Sequence, residues 1–247
     1  MVRCLIIVTF FFLFVFELNS QQTNWEVLHK SILETNQKGK GPEFEIRFYE
    51  GHEIYYPLMA VWIEDMEDNY IQTLYVAESI AKGVFNYGEI RDNRWVNGVK
   101  RRPAALPYWG HQRGIQASDG FYLPTPENPI ADAYTGATPT TGFILKTKAD
   151  SLLPVKFRIL LEINQSWDWN KYWTNNKFPG DEYYKTSAQP AVIYATDIDL
   201  NAEKEIYEMR PVGHSHYSGK DGNLYPDLST LTTALQIVDK IMVKIKH

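Results

Sequence analysis

Leu-Met-Ala-Val-Trp-Ile-Glu-Asp occupies residues 58–65, and Ile-Gln-Thr-Leu-Tyr-Val follows at residues 71–76. The first segment is a dense apolar run, which is typical of a strand covered on both faces. Acidic residues between the two segments interrupt the apolar pattern and indicate a turn. Together the segments predict a β-hairpin whose first strand lies in the centre of a sheet.

Further strands are expected on both sides of this hairpin. Phe44, Ile46 and Phe48 alternate with polar residues at period two, as in a half-buried strand. Later runs with strand character lie at residues 143–146, 155–163, 191–198, 206–211 and 237–245. About eight strands without interspersed helices predict an all-β fold, an antiparallel, immunoglobulin-like β-sandwich.

Two segments depart from the strand pattern. In residues 21–40 a short helical segment is expected, because apolar side chains recur at helical spacing: Trp25, Leu28, Ile32 and Leu33. Residues 77–141 show no regular period and are expected to form one long irregular insertion, a feature that is often functional. The sequence contains no linker, so residues 41–247 are expected to form a single sandwich domain.

Residues 1–20 have the features of a secretory signal peptide. Arg3 precedes an apolar run of about a dozen residues, which is short for a bilayer span, and Ser20 offers a small residue for cleavage. The expectation is an exported, periplasmic protein with no stable membrane span after cleavage. An uncleaved N-terminal anchor is the alternative. Cys4 is the only cysteine, so the mature chain has no thiol for a disulfide or a metal.

Composition narrows the function classes. The chain has 247 residues, of which 44% are hydrophobic and 14% aromatic, which is too apolar for a disordered protein. Its 25 Lys and Arg against 30 Asp and Glu give a net charge of -5. Because a nucleic-acid binder needs a basic surface, no nucleic-acid partner is expected.

One motif carries specific chemistry. Residues 132–142 read Asp-Ala-Tyr-Thr-Gly-Ala-Thr-Pro-Thr-Thr-Gly. A hydroxyl is what attack on a phosphoanhydride requires, and small residues beside it leave the backbone accessible. The alternative is an ordinary Thr-Gly turn between two strands with no attached group, since turns favour these residue types.

This segment resembles the covalent flavin attachment motif, D-x-x-[ST]-G-A-[TS], of FMN-binding domains in sodium-pumping quinone reductases. In that family a periplasmic flavin transferase joins FMN through its phosphate to the last Thr of the motif. The resemblance implies FMN on Thr138, with the supporting positions Asp132, Thr135, Gly136 and Ala137. It also implies an electron carrier that is a substrate of the transferase rather than a catalyst, with membrane redox proteins as partners.

A second resemblance covers more of the chain. The Ala-Val-Trp-Ile-Glu-Asp segment at 60–65, Ala-Leu-Pro-Tyr-Trp at 105–109 and Gln-Pro-Ala-Val-Ile-Tyr-Ala at 189–195 are similar, in this order, to an exported bacterial family of unknown function. Its members also carry the D-A-x-T-G-A-T motif, and the similarity extends from about residue 44 to the C-terminus. Members resemble partners of membrane flavoprotein systems, which agrees with a redox role.

A different function class remains open. His214 and His216 lie two residues apart, so in an extended segment both imidazoles project from one face, and Asp221 is placed to complete a divalent metal site. The alternatives are a solvated loop, a ligand site in the Trp-rich segment around residues 164–184, and a structural envelope protein. The non-redox hypothesis is therefore an exported metal- or ligand-binding module.

Overall fold

The structure is a computed structural model that describes residues 31–246. Strands dominate this range, and they are β1 (Ile32–Glu34), β2 (Glu43–Glu50), β3 (Pro57–Glu64), β4 (Tyr70–Ala77), β5 (Val84–Arg91), β6 (Arg94–Val99), β7 (Thr135–Gly136), β8 (Phe143–Lys148), β9 (Lys156–Gln165), β10 (Val192–Asp199), β11 (Ile206–Glu208), β12 (Arg210–His214) and β13 (Val238–Lys246). The α-helices are short: α1 (Glu78–Lys82), α2 (Pro107–Gln112) and α3 (Tyr184–Ser187). Two 3-10 helices span Asp132–Tyr134 and Thr233–Gln236.

The strands form two principal sheets, and the expected all-β sandwich is confirmed. Sheet A has the order β1-β8-β2-β13-β11, and sheet B has the order β12-β10-β9-β3-β4-β7. Strands β5 and β6 pair only with each other. Most pairs are antiparallel, but the edge pairs β1–β8 and β4–β7 are parallel, so the sheets are mixed rather than purely antiparallel.

Strand β3 is buried along its whole length, as its dense apolar sequence predicts. Met59, Val61 and Ile63 face sheet A and belong to the core between the two sheets. The alternate residues Ala60 and Trp62 pack into a second core on the outer face of sheet B. The expected hairpin with β4 is confirmed, with Ala60 opposite Val76.

The segment expected as an irregular insertion is more ordered than the sequence indicates. Helices α1 and α2 cover the outer face of sheet B and supply that second core, in which Trp109 is fully buried. Strands β5 and β6 form a hairpin across Asp92 and Asn93, which both have positive φ angles. This two-residue turn has a backbone that matches the twist of a hairpin, but the mixed polar and apolar residues on either side of it show no regular alternation from which to predict it.

Two further expectations are corrected. Residues 32–34 are a strand rather than part of a helix, because Ile32 and Leu33 pair with Ile144 and Leu145 of β8. The strand expected at 206–211 is two strands, since the chain passes from sheet A to sheet B at the buried residue Met209. The expected signal peptide at 1–20 and the part of the expected helix up to residue 30 lie outside the described residues.

Residues 31–246 form one compact unit. No helix within this range combines the length and apolar character needed to cross a bilayer.

Candidate functional site

The flavin-type motif lies at the free edge of sheet B. Its first residues form the 3-10 helix Asp132–Tyr134, and the next two form β7, which pairs with β4 in parallel. Beyond Gly136 the chain has no regular secondary structure until β8 begins at Phe143. Residues 137–142 thus connect sheet B to sheet A, and we call them the crossing loop.

A buried tyrosine anchors the start of the crossing loop. The Tyr75 hydroxyl donates a hydrogen bond of 3.0 Å to the Ala137 carbonyl and lies 3.4 Å from the Gly136 carbonyl. Burial raises the pKa of this hydroxyl well above its ordinary value, so it stays protonated and remains a donor. A Cβ on Gly136 would lie 3.1 Å from the Tyr75 ring, so a small residue is what lets the loop approach it.

The acidic residue of the motif lies on the exposed surface. One Asp132 carboxylate oxygen is 3.3 Å from the Lys82 ammonium, which also pairs with Glu78 in the same helix α1. The Thr135 hydroxyl donates to the Asp132 carbonyl at 3.4 Å. These contacts tie the motif to α1 and leave the Asp132 side chain open to a partner.

Thr138 is half-buried on the crossing loop between the exposed residues Ala137 and Thr140. Within residues 31–246 its hydroxyl has no hydrogen-bond partner. An uncommitted hydroxyl on a loop that is anchored beside it and lined by small residues fits a phosphate ester of FMN. When bound, FMN supplies reversible electron transfer, while the chain supplies the attachment point and the surface around it.

The far end of the crossing loop is also fastened. The Gly142 N–H donates to the Glu50 carboxylate at the end of β2. A Cβ on Gly142 would lie 3.1 Å from the Phe48 carbonyl, so the loop passes close over that strand end. The crossing loop is therefore held on sheet B at one end and on sheet A at the other.

The second predicted group surrounds one tyrosine ring. His214 stacks on Tyr225 with ring centroids 5.4 Å apart, and the His216 centroid lies 6.1 Å from the same ring. The Tyr225 hydroxyl donates to Asp221 at 3.0 Å. Ser215, between the histidines, is buried, and both imidazoles lie beside the Tyr225 ring.

The ring nitrogens of this group are partly engaged. His214 Nδ1 is 2.8 Å from the Ser215 carbonyl, and His216 Nδ1 accepts from the Ser218 N–H at 3.2 Å. Burial lowers the pKa of His216, which favours its neutral form. In the described part of the chain, no three or more His, Cys, Asp or Glu side chains are grouped to hold a metal ion.

The structure does not bring the two predicted groups together. The motif includes β7 at one edge of sheet B, and β12 at the other edge ends at His214, with His216 two residues beyond. Five strand spacings separate these edges, or about 24 Å. The flavin and metal hypotheses therefore concern separate places on the protein.

Two buried carboxylates on the outer face of sheet B were not predicted from the sequence. Glu162 accepts backbone hydrogen bonds from Trp109 at 2.7 Å and Tyr108 at 3.2 Å, and desolvation raises its pKa to about 8. Glu64 accepts from the Trp62 indole at 2.7 Å, and burial raises its pKa to about 7. Each of these glutamates lies within an apolar strand segment, and that position in the sequence could have indicated a buried carboxylate. The Glu162 contacts hold the start of α2 on the sheet, and the Glu64 contact fixes the Trp62 side chain of the same strand.

A cavity of about 390 Å³ lies between α2 and the turn at residues 218–220. His111 and Lys220 contribute polar groups, and Phe121, Tyr122 and Tyr183 contribute aromatic walls. The His111 ring stacks on Tyr122 with centroids 4.2 Å apart. The two stacked rings therefore form one wall of the cavity.

Comparisons of the chain with protein-family models, with curated proteins and with solved structures find no match. The motif resemblance, the position of the crossing loop and its contacts are therefore what supports a function.

Proposed function

We propose that this protein is an exported, periplasmic electron carrier with FMN linked through its phosphate to Thr138. The observation that supports this most directly is the placement of Thr138. Its hydroxyl is uncommitted on a loop whose neighbouring carbonyl is fixed by Tyr75. A plain turn needs neither the buried donor nor the small residue that the Tyr75 ring requires at Gly136.

The attachment is a phosphoryl transfer in which Thr138 is the acceptor. The Thr138 hydroxyl oxygen forms a bond to the flavin-side phosphorus of flavin adenine dinucleotide, and the phosphoanhydride bond breaks. Adenosine monophosphate leaves, and the hydroxyl proton passes to a base of the flavin transferase. No electrons are exchanged in this step, so the flavin arrives with its redox chemistry intact.

The surface around Thr138 supports recognition by the transferase. Asp132 and Lys82 form an exposed ion pair beside the loop, and Ala137 and Thr140 add no bulk. We assign Asp132 to orienting the loop in the transferase cleft. Membrane redox proteins are the proposed electron partners, in line with export through the N-terminal signal peptide.

Intact-protein mass spectrometry tests this proposal. The full chain is expressed with a periplasmic flavin transferase and is expected to gain the mass of FMN less one water. Thr138→Ala abolishes the gain, and Thr138→Ser retains part of it. Thr140→Ala, two residues along the same loop, is the matched control and keeps full attachment. If the wild-type chain keeps its unmodified mass although the transferase is active, the proposal is wrong and residues 132–142 are an ordinary turn.

A second proposal is a divalent metal held by His214 and His216, with Asp221 beside them. The observation that favours it is the convergence of all three side chains on Tyr225. Such a protein would be a non-redox exported binding module. Elemental analysis of untagged protein separates this proposal from the flavin one.

A further inference from the structure

Two loops pass between the sheets at the same end of the sandwich. The crossing loop leads from β7 to β8, and residues 51–56 lead from β2 in sheet A to β3 in sheet B. We call residues 51–56 the tyrosine loop. The Gly142 N–H and the Glu50 carboxylate join the end of one loop to the residue before the other. The two loops are therefore neighbours.

The tyrosine loop displays two aromatic rings to solvent. The side chains of Tyr55 and Tyr56 are 63% and 78% exposed. The two rings project from neighbouring residues of an ordered loop, and at these exposures each leaves most of its surface open to a ligand. Each ring also carries a hydroxyl, which suits contact with a ligand that is apolar on its faces and polar at its edge.

The backbone beneath these rings is held firmly. The Tyr55 N–H donates to the buried Gln165 amide oxygen at 2.7 Å, and the Gln165 amide nitrogen donates to the Glu53 carbonyl at 3.0 Å. The Gly51 N–H donates to the Ile237 carbonyl at 2.9 Å. Because these hydrogen bonds fix the loop backbone at both ends, the backbone positions of the two tyrosines are also fixed.

Sheet order gives the lateral spacing of the two strands that adjoin these loops. Strand β7 lies two strands from β3, whose first residue directly follows Tyr56, so the lateral separation is about 10 Å. A phosphate and ribityl chain, extended over seven single bonds, reaches roughly 9 Å. The length of this chain is therefore close to the lateral separation of the two strands.

We propose that Tyr55 and Tyr56 form the surface on which the isoalloxazine ring of FMN attached at Thr138 stacks. This inference rests on the proposed function and adds the place where the flavin ring lies. The tyrosines are positioning residues: they hold the ring against the protein and shield one of its faces from water.

The test compares native and denatured flavin emission in chains loaded by the transferase. Variants are Tyr55→Ala/Tyr56→Ala and the single Tyr56→Ala, with Tyr172→Ala as the matched control. Tyr172 is also an exposed tyrosine, but it adjoins Trp173, whose ring packs against His214 at the β12 edge of sheet B. Mass spectrometry measures FMN per chain in each sample, and circular dichroism of the flavin band reports the asymmetry of its surroundings.

Stacking of the strength found for aromatic pairs shifts the ratio of docked to free ring by roughly two- to ten-fold. We therefore expect the double variant to carry full FMN, to emit more strongly in its native state, and to lose flavin circular dichroism. All samples emit equally after denaturation, and Tyr172→Ala matches the wild type throughout.

The two failures are distinguishable. If the tyrosine variants carry full FMN and their native emission and circular dichroism equal those of the wild type, the stacking surface is wrong and the attachment at Thr138 stands. If the wild-type chain acquires no FMN, the proposed function fails and the stacking surface fails with it. The exposed single variant Tyr56→Ala keeps the test valid if the double variant does not fold.

Discussion

The Tyr75 hydroxyl, which comes from a core residue of strand β4, donates a 3.0 Å hydrogen bond to the carbonyl of Ala137, the residue before Thr138. A group between the two sheets thus fixes the backbone of a surface loop. The geometry of the proposed acceptor consequently depends on the integrity of the core. This coupling gives the first prediction.

Tyr75→Phe removes the donor and keeps the ring that packs against Gly136. We expect the free energy of unfolding to fall by about 1 kcal/mol, which corresponds to about a fivefold loss of docked loop. Flavin attachment slows accordingly, while the acceptor remains Thr138. Denaturant unfolding and the time course of FMN mass gain measure the two effects.

Tyr194→Phe is the control for that substitution, because Tyr194 is a buried tyrosine of the same sheet that does not contact the crossing loop. Unchanged attachment kinetics in Tyr75→Phe would contradict the anchoring role of the hydroxyl.

The buried carboxyl of Glu162 predicts a pH dependence of stability. Its folded-state pKa of about 8 lies above the ordinary value of 4.5, so the folded protein binds a proton that the unfolded chain releases. The free energy of unfolding therefore decreases as pH rises from 4.5 toward 8, by up to about 1.4 kcal/mol per pH unit for one group. Glu64, with a pKa of about 7, adds to this decrease between 4.5 and 7.

Glu162→Gln tests the assignment of that slope. The substitution flattens the pH profile, and it also lowers stability at pH 5 by about 1–3 kcal/mol, because an amide NH₂ then faces a backbone N–H that the carboxyl accepted. Denaturant unfolding at several pH values measures both effects. An identical pH slope in the variant and the wild type would show that Glu162 does not titrate in this range.

Trp167 gives a prediction about backbone strain. It has a φ angle of +58° and its side chain is 69% exposed, so a bulky residue adopts the left-handed region with little burial in return. We expect Trp167→Gly to raise the free energy of unfolding by about 1 kcal/mol. Thermal unfolding measures this gain. Trp95→Gly, at an exposed position within β6, is the control and should lower stability by about the same amount.

For the metal proposal, the expected result is stoichiometric divalent metal in untagged protein and its loss in His214→Ala/His216→Ala. Metal binding weakens as pH falls, because the imidazoles must be neutral to bind a metal. The lowered pKa of His216 means that this weakening begins at a lower pH than for an ordinary histidine. Elemental analysis and titration with zinc measure the effect. His52→Ala, an exposed histidine on the tyrosine loop, is the control. Metal-free wild-type protein would end this proposal.

The strands that the sequence predicts are those with a strong apolar pattern. Strand β3 was recognisable because both of its faces are covered, and β8 because buried and half-buried residues alternate. The β5–β6 hairpin was missed because most of its side chains are exposed and show no alternation. Residues 32–34 were misassigned because apolar spacing over so few residues fits a helix and an edge strand equally well.

The candidate site was predictable only in its local part. The motif around Thr138 is contiguous in sequence, so its residues could be named without a structure. Tyr75 and Glu50 reach the crossing loop from distant parts of the chain, and in sequence they resemble an ordinary core tyrosine and an ordinary strand-end acid. Their roles depend on which strands are neighbours in the sheets. Pairing between strands that are distant in sequence decides this, and the local sequence pattern does not show it.

The passage of the chain at Met209 has a mechanical consequence. Strands β11 and β12 end different sheets on the same side of the sandwich, and one residue joins them, with its N–H bonded to the Ile241 carbonyl at 3.0 Å. On the opposite side the sheets are linked through hydrogen bonds such as that from the Asn36 N–H to the Ala133 carbonyl. The crossing loop also joins the two sheets covalently on that side. Under a pulling force the sheets are therefore held at both margins, at Met209 and at the crossing loop, and they separate only when the core between them is exposed.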